Sequence, residues 1–160
     1  THAEIALAAD GKILALRIHG HADTGAYPTM SEIAIQVMIG PWVQTSVYDI
    51  QTIDFQFTAV MTHTAPTGAY RGAGRPEAIL NIERLMDEAA REHGFDRFEL
   101  RSRNFITPEQ MPYTNPMAQV YDSGEFEHIM RSAMAQADVA GFEARAQASA
   151  ANGKWRGLGV

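Results

Sequence analysis

Apolar and polar positions alternate along the first part of the chain. Residues 3–9 and 12–21 flank Asp10-Gly11, a dipeptide that closes tight hairpins. In the second arm Leu14, Leu16 and Ile18 alternate with Ala15, Arg17 and His19. A period of two predicts strands with one buried face. Gly25-Ala26-Tyr27-Pro28 interrupts the pattern. Residues 31–39 (SEIAIQVMI) fit two elements. Ser31 suits the cap of a short helix, whereas the β-branched residues suit a strand. Gly40-Pro41 is expected to end the segment either way. Alternation returns over 53–63, where Ile53, Phe55, Phe57, Ala59 and Met61 share one face, and this predicts a third strand.

The period then changes. Ala78, Ile79, Ile82, Leu85, Met86 and Ala89 recur at helical spacing. Pro76 suits a first turn and Gly94 a C-terminal stop, so the spacing predicts a helix over 76–93. Glu77, Glu83, Glu88 and Glu92, interspersed with Arg84 and Arg91, read as its solvated face. Asp96-x-x-Glu99 reads as a capping box for a helix to about 103. Pro108, Pro112 and Pro116 punctuate a loop over 106–120. Asp122-x-x-Glu125 is a second capping signal, before a helix carrying Phe126, Ile129, Met130, Ala133 and Met134. With Met86, Met130 and Met134 read as core packing, an alanine-rich helix over 141–151 follows, and a last strand is expected from Trp155. The order predicts an α+β fold: an antiparallel or mixed sheet with helices packed on one side.

Composition narrows the function. The 160 residues suffice for one domain with a real core. Thirteen Lys and Arg against nineteen Asp and Glu give a net charge of −6, which disfavours general nucleic-acid binding. No apolar run has the length of a membrane span. Cysteine is absent, so the chain has no disulfide, no thiolate nucleophile and no iron–sulfur ligand, in keeping with a cytoplasmic protein. Thr1 opens almost directly into an alternating pattern, and Gly157-Leu158-Gly159-Val160 reads as a strand entering a sheet. The chain is therefore expected to be a fragment of a longer polypeptide.

The candidate chemistry lies in GAYRGAGRPEA, residues 68–78. Gly68, Gly72 and Gly74 remove side chains that would keep a ligand from the backbone, and Arg71 and Arg75 add forked, permanently charged donors. Strand, glycine turn and helix N-terminus together suit an anion. Glu77 excludes the G-x-G-x-x-G spacing, and no G-x-x-x-x-G-K-[ST] run exists. A glycine turn with solvated arginines fits the same residues. His19 and His21 share a strand face, but no third metal ligand lies near them in sequence, and they read as ordinary polar strand residues. His63 precedes the loop, Tyr27 follows the first glycine turn, and Trp42 reads as an amphipathic anchor at a turn.

AYRGAGRPEA, with ERL at 83–85, RSRNFI at 101–106 and YDSGEF at 121–126, resembles the molybdenum hydroxylases. These are the aerobic carbon monoxide dehydrogenase large subunits, especially the form II type, the xanthine dehydrogenases and the aldehyde oxidases. The resemblance runs over essentially the whole chain. It implies that residues 1–160 are part of a molybdenum-cofactor-binding domain, with a molybdenum–molybdopterin cofactor of the cytosine dinucleotide form. It implies that Tyr70, Arg71, Gly72, Ala73 and Gly74 line the cofactor, with Arg71 and Gly72 assisting catalysis. The implied partners are the rest of the large subunit, an iron–sulfur small subunit, an FAD medium subunit and a small-molecule substrate. The implied reaction inserts oxygen from water into a C–H bond. Gly72 stands where carbon monoxide oxidisers carry a copper-bridging cysteine, and Ala73 where xanthine oxidisers carry a substrate-stacking phenylalanine. The family's glutamate base matches none of Glu77, Glu83, Glu88 or Glu92, so residues 1–160 alone are expected to be inactive. The alternative reading is a non-catalytic α+β module that binds an anion or partner protein through the Gly/Arg loop.

Overall fold

A computed structural model describes residues 1–160. Strand β1 (His2–Leu7) pairs antiparallel with β2 (Ile13–Gly25), with Ile5 opposite Leu16, and Asp10-Gly11 makes the turn. Strand β3 (Ile53–Met61) pairs parallel with β2, from Leu16 opposite Ile53 to Gly25 opposite Met61. The sheet is thus mixed, in the order β1-β2-β3. On its outer face Arg17 donates to Glu4 at 2.8 Å and to Asp54 at 3.0 Å. The inner face carries Ile5, Leu16, Ile18, Ile53 and Phe55.

Helix α3 (Arg75–His93) lays Ala78, Ile82, Met86, Ala89 and Ala90 into the core, and ends on Gly94 in the left-handed conformation. Ile18, Ile82 and Met86 are fully enclosed, and each contributes about 1.5–3 kcal/mol by leaving water. Helix α4 (Arg97–Asn104) starts on Asp96, whose carboxylate accepts from the N–H groups of Phe98 and Glu99 at 2.8 and 2.9 Å. Glu99 does not close a reciprocal box. It accepts instead from Arg131 of α5 (Phe126–Gln136) at 2.8 Å. Buried Asn104 ties α4 to the hairpin: it accepts from Ile13 N–H at 2.8 Å and donates to Gly11 and Leu100 carbonyls at 2.9 Å.

Several local expectations change. The segment after β2 is helical, and its cap is Thr29 rather than Ser31. It runs as α1 (Met30–Ala34), a π-helical turn (Ile35–Ile39) and a three-residue α2 (Gly40–Trp42). Gly40-Pro41 therefore lies inside the helical run, because Pro41 falls in a first turn where its missing N–H costs little. This helical run forms part of the crossover that the parallel pair of β2 and β3 requires. The proline-punctuated loop contains a 3₁₀ turn (Pro108–Gln110) and a small antiparallel pair, β4 (Tyr113–Thr114) with β5 (Val120–Tyr121). Asp122 caps nothing: α5 begins after Glu125 without a side-chain cap. Helix α5 meets the core through Phe126 and Met130, leaving Ile129 exposed, and α6 (Phe142–Ala151) follows as expected. No strand forms from Trp155, which is 98 % exposed. No sheet edge of the chain pairs with this segment, and a strand without a partner leaves its backbone bonding to water.

Candidate functional site

The approach to the Gly/Arg loop is held by Asp23. Its carboxylate accepts from Gly25 N–H at 2.8 Å and from the Thr62 and Thr64 hydroxyls at 2.7 and 3.2 Å. The Gly25 N–H and then Thr62 hold its pKa below the usual carboxylate value. Thr67 donates back to the Asp23 carbonyl at 3.3 Å. The chain crosses directly over Gly25, whose φ is 73°. A Cβ there would lie 2.6 Å from Pro66 N and 2.8 Å from the Ala65 carbonyl oxygen.

Beyond this crossing the backbone makes two linked turns. Ala73 N–H donates to Tyr70 O at 2.8 Å, and Arg75 N–H to Gly72 O at 3.0 Å. Gly72, Ala73 and Gly74 are all left-handed, with φ of 95°, 45° and 89°. Glycine adopts such angles freely, whereas at Ala73 the conformation costs roughly 1–2 kcal/mol. The chain then enters α3, and Gly74 O accepts from Ala78 N–H at 3.2 Å. The N–H groups of Arg71, Gly72 and Gly74 donate to no atom of the chain. Three spare donors thus sit at the positive end of a 19-residue helix.

The side chains point outward. Tyr70 is 87 % exposed, Arg71 is exposed, and Arg75 folds back to donate to Gly72 O at 3.3 Å. No large concavity of this chain borders residues 70–74. A concavity of about 980 Å³ lies along β1 and α3 among Leu7, Arg17, Leu85, Glu88 and Phe95, with no residue of the 70–74 loop in its lining. The segments flanking the loop in sequence and contact leave Tyr27, Met30, Trp42 and Leu80 exposed.

The structure does not bring the two histidines to a metal site. His19 lies 3.1 Å from Asp54, His21 is exposed, and the chain has no group of three His, Asp or Glu side chains placed to hold a metal. His63 is an exposed residue just past the end of β3. Two features escape the sequence reading. Glu32 is buried beside the loop, accepts from Thr29 N–H at 2.6 Å, and has its pKa lowered, first by the Thr29 hydroxyl. Glu83 is not on the solvated face. It accepts from Tyr48 O–H at 2.8 Å and from Arg101 at 2.9 Å, and Arg101 also lies 2.9 Å from Asp87. Arg101 is 2 % exposed. Burial, then the Glu83 charge, pushes the Tyr48 hydroxyl well above its ordinary pKa. The spacing of Glu83 and Asp87, one turn apart, was the available signal. The solvated reading holds for Arg84 and Arg91, which both pair with Glu88.

Comparisons with known proteins identify the family. The family model for the molybdopterin cofactor-binding domain matches residues 1–105. The chain is 33 % identical over 154 residues to the nicotine 6-hydroxylase large subunit of Paenarthrobacter nicotinovorans, covering 95 % of this chain and 19 % of that protein. It is 38 % identical over 133 residues to the carbon monoxide dehydrogenase large chain of Afipia carboxidovorans, covering 82 % of this chain and 16 % of that protein. Among solved structures, quinoline 2-oxidoreductase from Pseudomonas putida 86 superposes with a TM-score of 0.84 at 31 % identity, over 94 % of this chain and 19 % of that one. The Cu,Mo-CO dehydrogenase in its carbon monoxide reduced state gives 0.77 at 34 % identity, over 91 % and 19 %. The chain spans about a fifth of the length of these relatives. With 105 of its 160 residues matched and its architecture shared, the chain belongs to the molybdopterin cofactor-binding domain family of the molybdenum hydroxylases.

Proposed function

We propose that residues 1–160 form part of the catalytic large subunit of a molybdenum hydroxylase acting on a small aldehyde, N-heterocycle or related molecule. The observation that carries this reading is the run of left-handed residues 72–74, which leaves the amides of Arg71, Gly72 and Gly74 without partners at the head of α3. The residues present fit the cofactor. A turn without bulky side chains lets main-chain N–H groups approach an anionic oxygen.

In this reading Tyr70, Arg71, Gly72, Ala73 and Gly74 line the molybdenum–pterin cofactor, in its cytosine dinucleotide form. When bound, the cofactor supplies the two-electron chemistry by which oxygen from water enters a C–H bond. The chain's own part is positioning and electrostatics. The spare amides donate to oxygen atoms held against the turn, and the Arg71 guanidinium stabilises negative charge that grows there. Losing one preorganised donor of this kind typically costs about 10²–10³ in kcat. Gly72 offers no thiolate to bridge a second metal, and the Ala73 methyl gives no aromatic wall for a purine. Both features favour a substrate other than carbon monoxide or xanthine.

The exposure of Tyr70 and Arg71 is consistent with a pocket completed by the rest of the large subunit. Electrons leave through an iron–sulfur small subunit and an FAD medium subunit, in a cytoplasmic complex. No helix of the chain is long and apolar enough to cross a membrane. The test is to purify the full-length large subunit with its partner subunits, measure molybdenum and pterin content, and assay dye-linked oxidation of aldehydes and N-heterocycles. Bound molybdenum with turnover of at least one such class is the expected result, and Arg71→Ala should lower kcat by roughly 10-fold or more. A large subunit that carries no molybdenum, or an Arg71→Ala enzyme with unchanged kcat, contradicts the reading.

A further inference from the structure

Ala73, the one non-glycine in the left-handed run 72–74, needs something to hold it. Such angles persist only where the surroundings fix them. On one side Gly72 lies against the ring of Pro76: a Cβ on Gly72 would meet its Cδ at 2.7 Å. On the other side lies the π-helical turn Ile35–Ile39. There the Gly40 N–H reaches back to the Ile35 carbonyl, five residues away. In an α-helix that carbonyl would take the N–H of residue 39. The extra residue moves the closing hydrogen bond to Gly40 and sets it under the loop. A Cβ on Gly74 would sit 2.9 Å from Ile35 O and 3.1 Å from Gly40 N, on top of that bond. Reciprocally, a Cβ on Gly40 would lie 3.3 Å from Ile35 O and 3.4 Å from Gly74 O. Two glycines therefore meet backbone to backbone, and both are buried.

We propose that the π-helical turn and Gly40 form the seat that fixes the height and angle of residues 71–74, which makes Gly40 a positioning residue for the loop. Gly40 lies against Gly74 and acts through it. A π-turn inside a helix is rare and recurs at functional sites. Here its use is geometric: it presents a carbonyl–amide pair so close to the Gly74 backbone that a Cβ on residue 74 would not fit. A methyl at Gly40 would crowd Ile35 O at 3.3 Å and touch Gly74 O at 3.4 Å, so the π-turn and the loop resting on it must give by a few tenths of an ångström. That shift moves the spare amides of Arg71, Gly72 and Gly74 while leaving the core beneath α3 as it was. The catalytic consequence rests on the proposed function; the seating does not.

The experiment uses the full-length large subunit in its complex, with Gly40→Ala and, as a control on the same turn, Val37→Ala, whose side chain is partly exposed. The first readout needs no cofactor. Trypsin cuts after Arg71 but poorly after Arg75, which precedes Pro76, so the rate of cleavage at Arg71-Gly72 reports how firmly the loop is seated. Gly40→Ala should raise that rate several-fold with a melting temperature close to wild type, and Val37→Ala should leave it unchanged. The second readout is kinetic: Gly40→Ala should lower kcat about 10-fold with KM within twofold and with molybdenum content retained, because a misplaced donor weakens the transition state more than binding. Unchanged cleavage at Arg71 in Gly40→Ala overturns the seat. Faster cleavage with unchanged kcat and unchanged molybdenum spectra overturns its role in positioning the chemistry. Should even the wild-type subunit lack molybdenum, the proposed function fails, and the proteolysis comparison still decides the seat.

Discussion

Replacing Arg101 with methionine tests the physical account of how α3, and with it the loop, is anchored. The methionine keeps most of the apolar stem and removes the guanidinium. That group is enclosed and lies 2.8 Å from Glu83 and 2.9 Å from Asp87, and it donates to the Arg97 carbonyl at 2.9 Å. Without it, two carboxylates one helical turn apart lose the cation between them, and the Glu83 carboxylate beside the buried Tyr48 hydroxyl is left unpaired. Removing one partner of a buried ion pair costs about 3–5 kcal/mol, and the lower end applies because both carboxylates keep part of their solvent. At roughly 2–4 °C per kcal/mol for a chain of this size, Arg101→Met should lower Tm by about 6–12 °C. Thermal unfolding followed by circular dichroism at neutral pH measures it. Adding Glu83→Gln to that variant keeps an acceptor for Tyr48 and removes one orphaned charge, so it should recover about 1 kcal/mol or more. A loss below about 1 kcal/mol for Arg101→Met, or a Glu83→Gln effect that simply adds to it, would refute the network.

Other outcomes follow from individual contacts. Gly25→Ala combines a left-handed φ with a collision against Pro66, and its urea midpoint should fall by the equivalent of about 2 kcal/mol or more. Asn104→Ala leaves the buried Ile13 N–H without an acceptor, which should cost about 1–3 kcal/mol and speed hydrogen exchange at that amide. Alkali should destabilise the fold. Burial, with Asp49 next, pushes Tyr113 up to about 12, and burial also raises Tyr48 and Tyr121. An unfolded tyrosine ionises near 10, so the unfolded chain loses protons that the folded chain keeps. Stability from these residues is therefore intact below pH ~10 and declines as pH rises toward ~12, which urea titrations across that range will show.

What the sequence revealed depended on how local the deciding force was. The hairpin at Asp10-Gly11, the alternation over Ile53–Met61 and the helical repeat from Ala78 to Ala89 are set by period and turn chemistry, and each forms where expected. The helical run after Thr29 was legible only as one of two alternatives, because Ile33, Ile35, Val37 and Ile39 alternate as a strand would. What favours the helix is distant: β2 takes β3 as its parallel neighbour, and the segment between them forms part of the crossover. Trp155 failed for the converse reason, since its segment had strand-like residues but no partner. In the loop, the glycines at 68, 72 and 74 announced close approach. Gly68 is neither left-handed nor closely approached, and Ala73 shares the left-handed geometry of Gly72 and Gly74. That Gly40 lies beneath Gly74 depends on a contact between segments more than thirty residues apart. Glu83 was misread because an acid on an amphipathic helix shows its partner only when the chain folds.

The most direct test is a crystal structure of the molybdenum-loaded large subunit with anomalous data at the molybdenum edge. The account predicts the metal beside residues 70–74, with a main-chain nitrogen of Arg71, Gly72 or Gly74 at hydrogen-bond distance, about 3 Å, from a cofactor oxygen. A metal peak remote from this turn, with those three amides facing water, would contradict it.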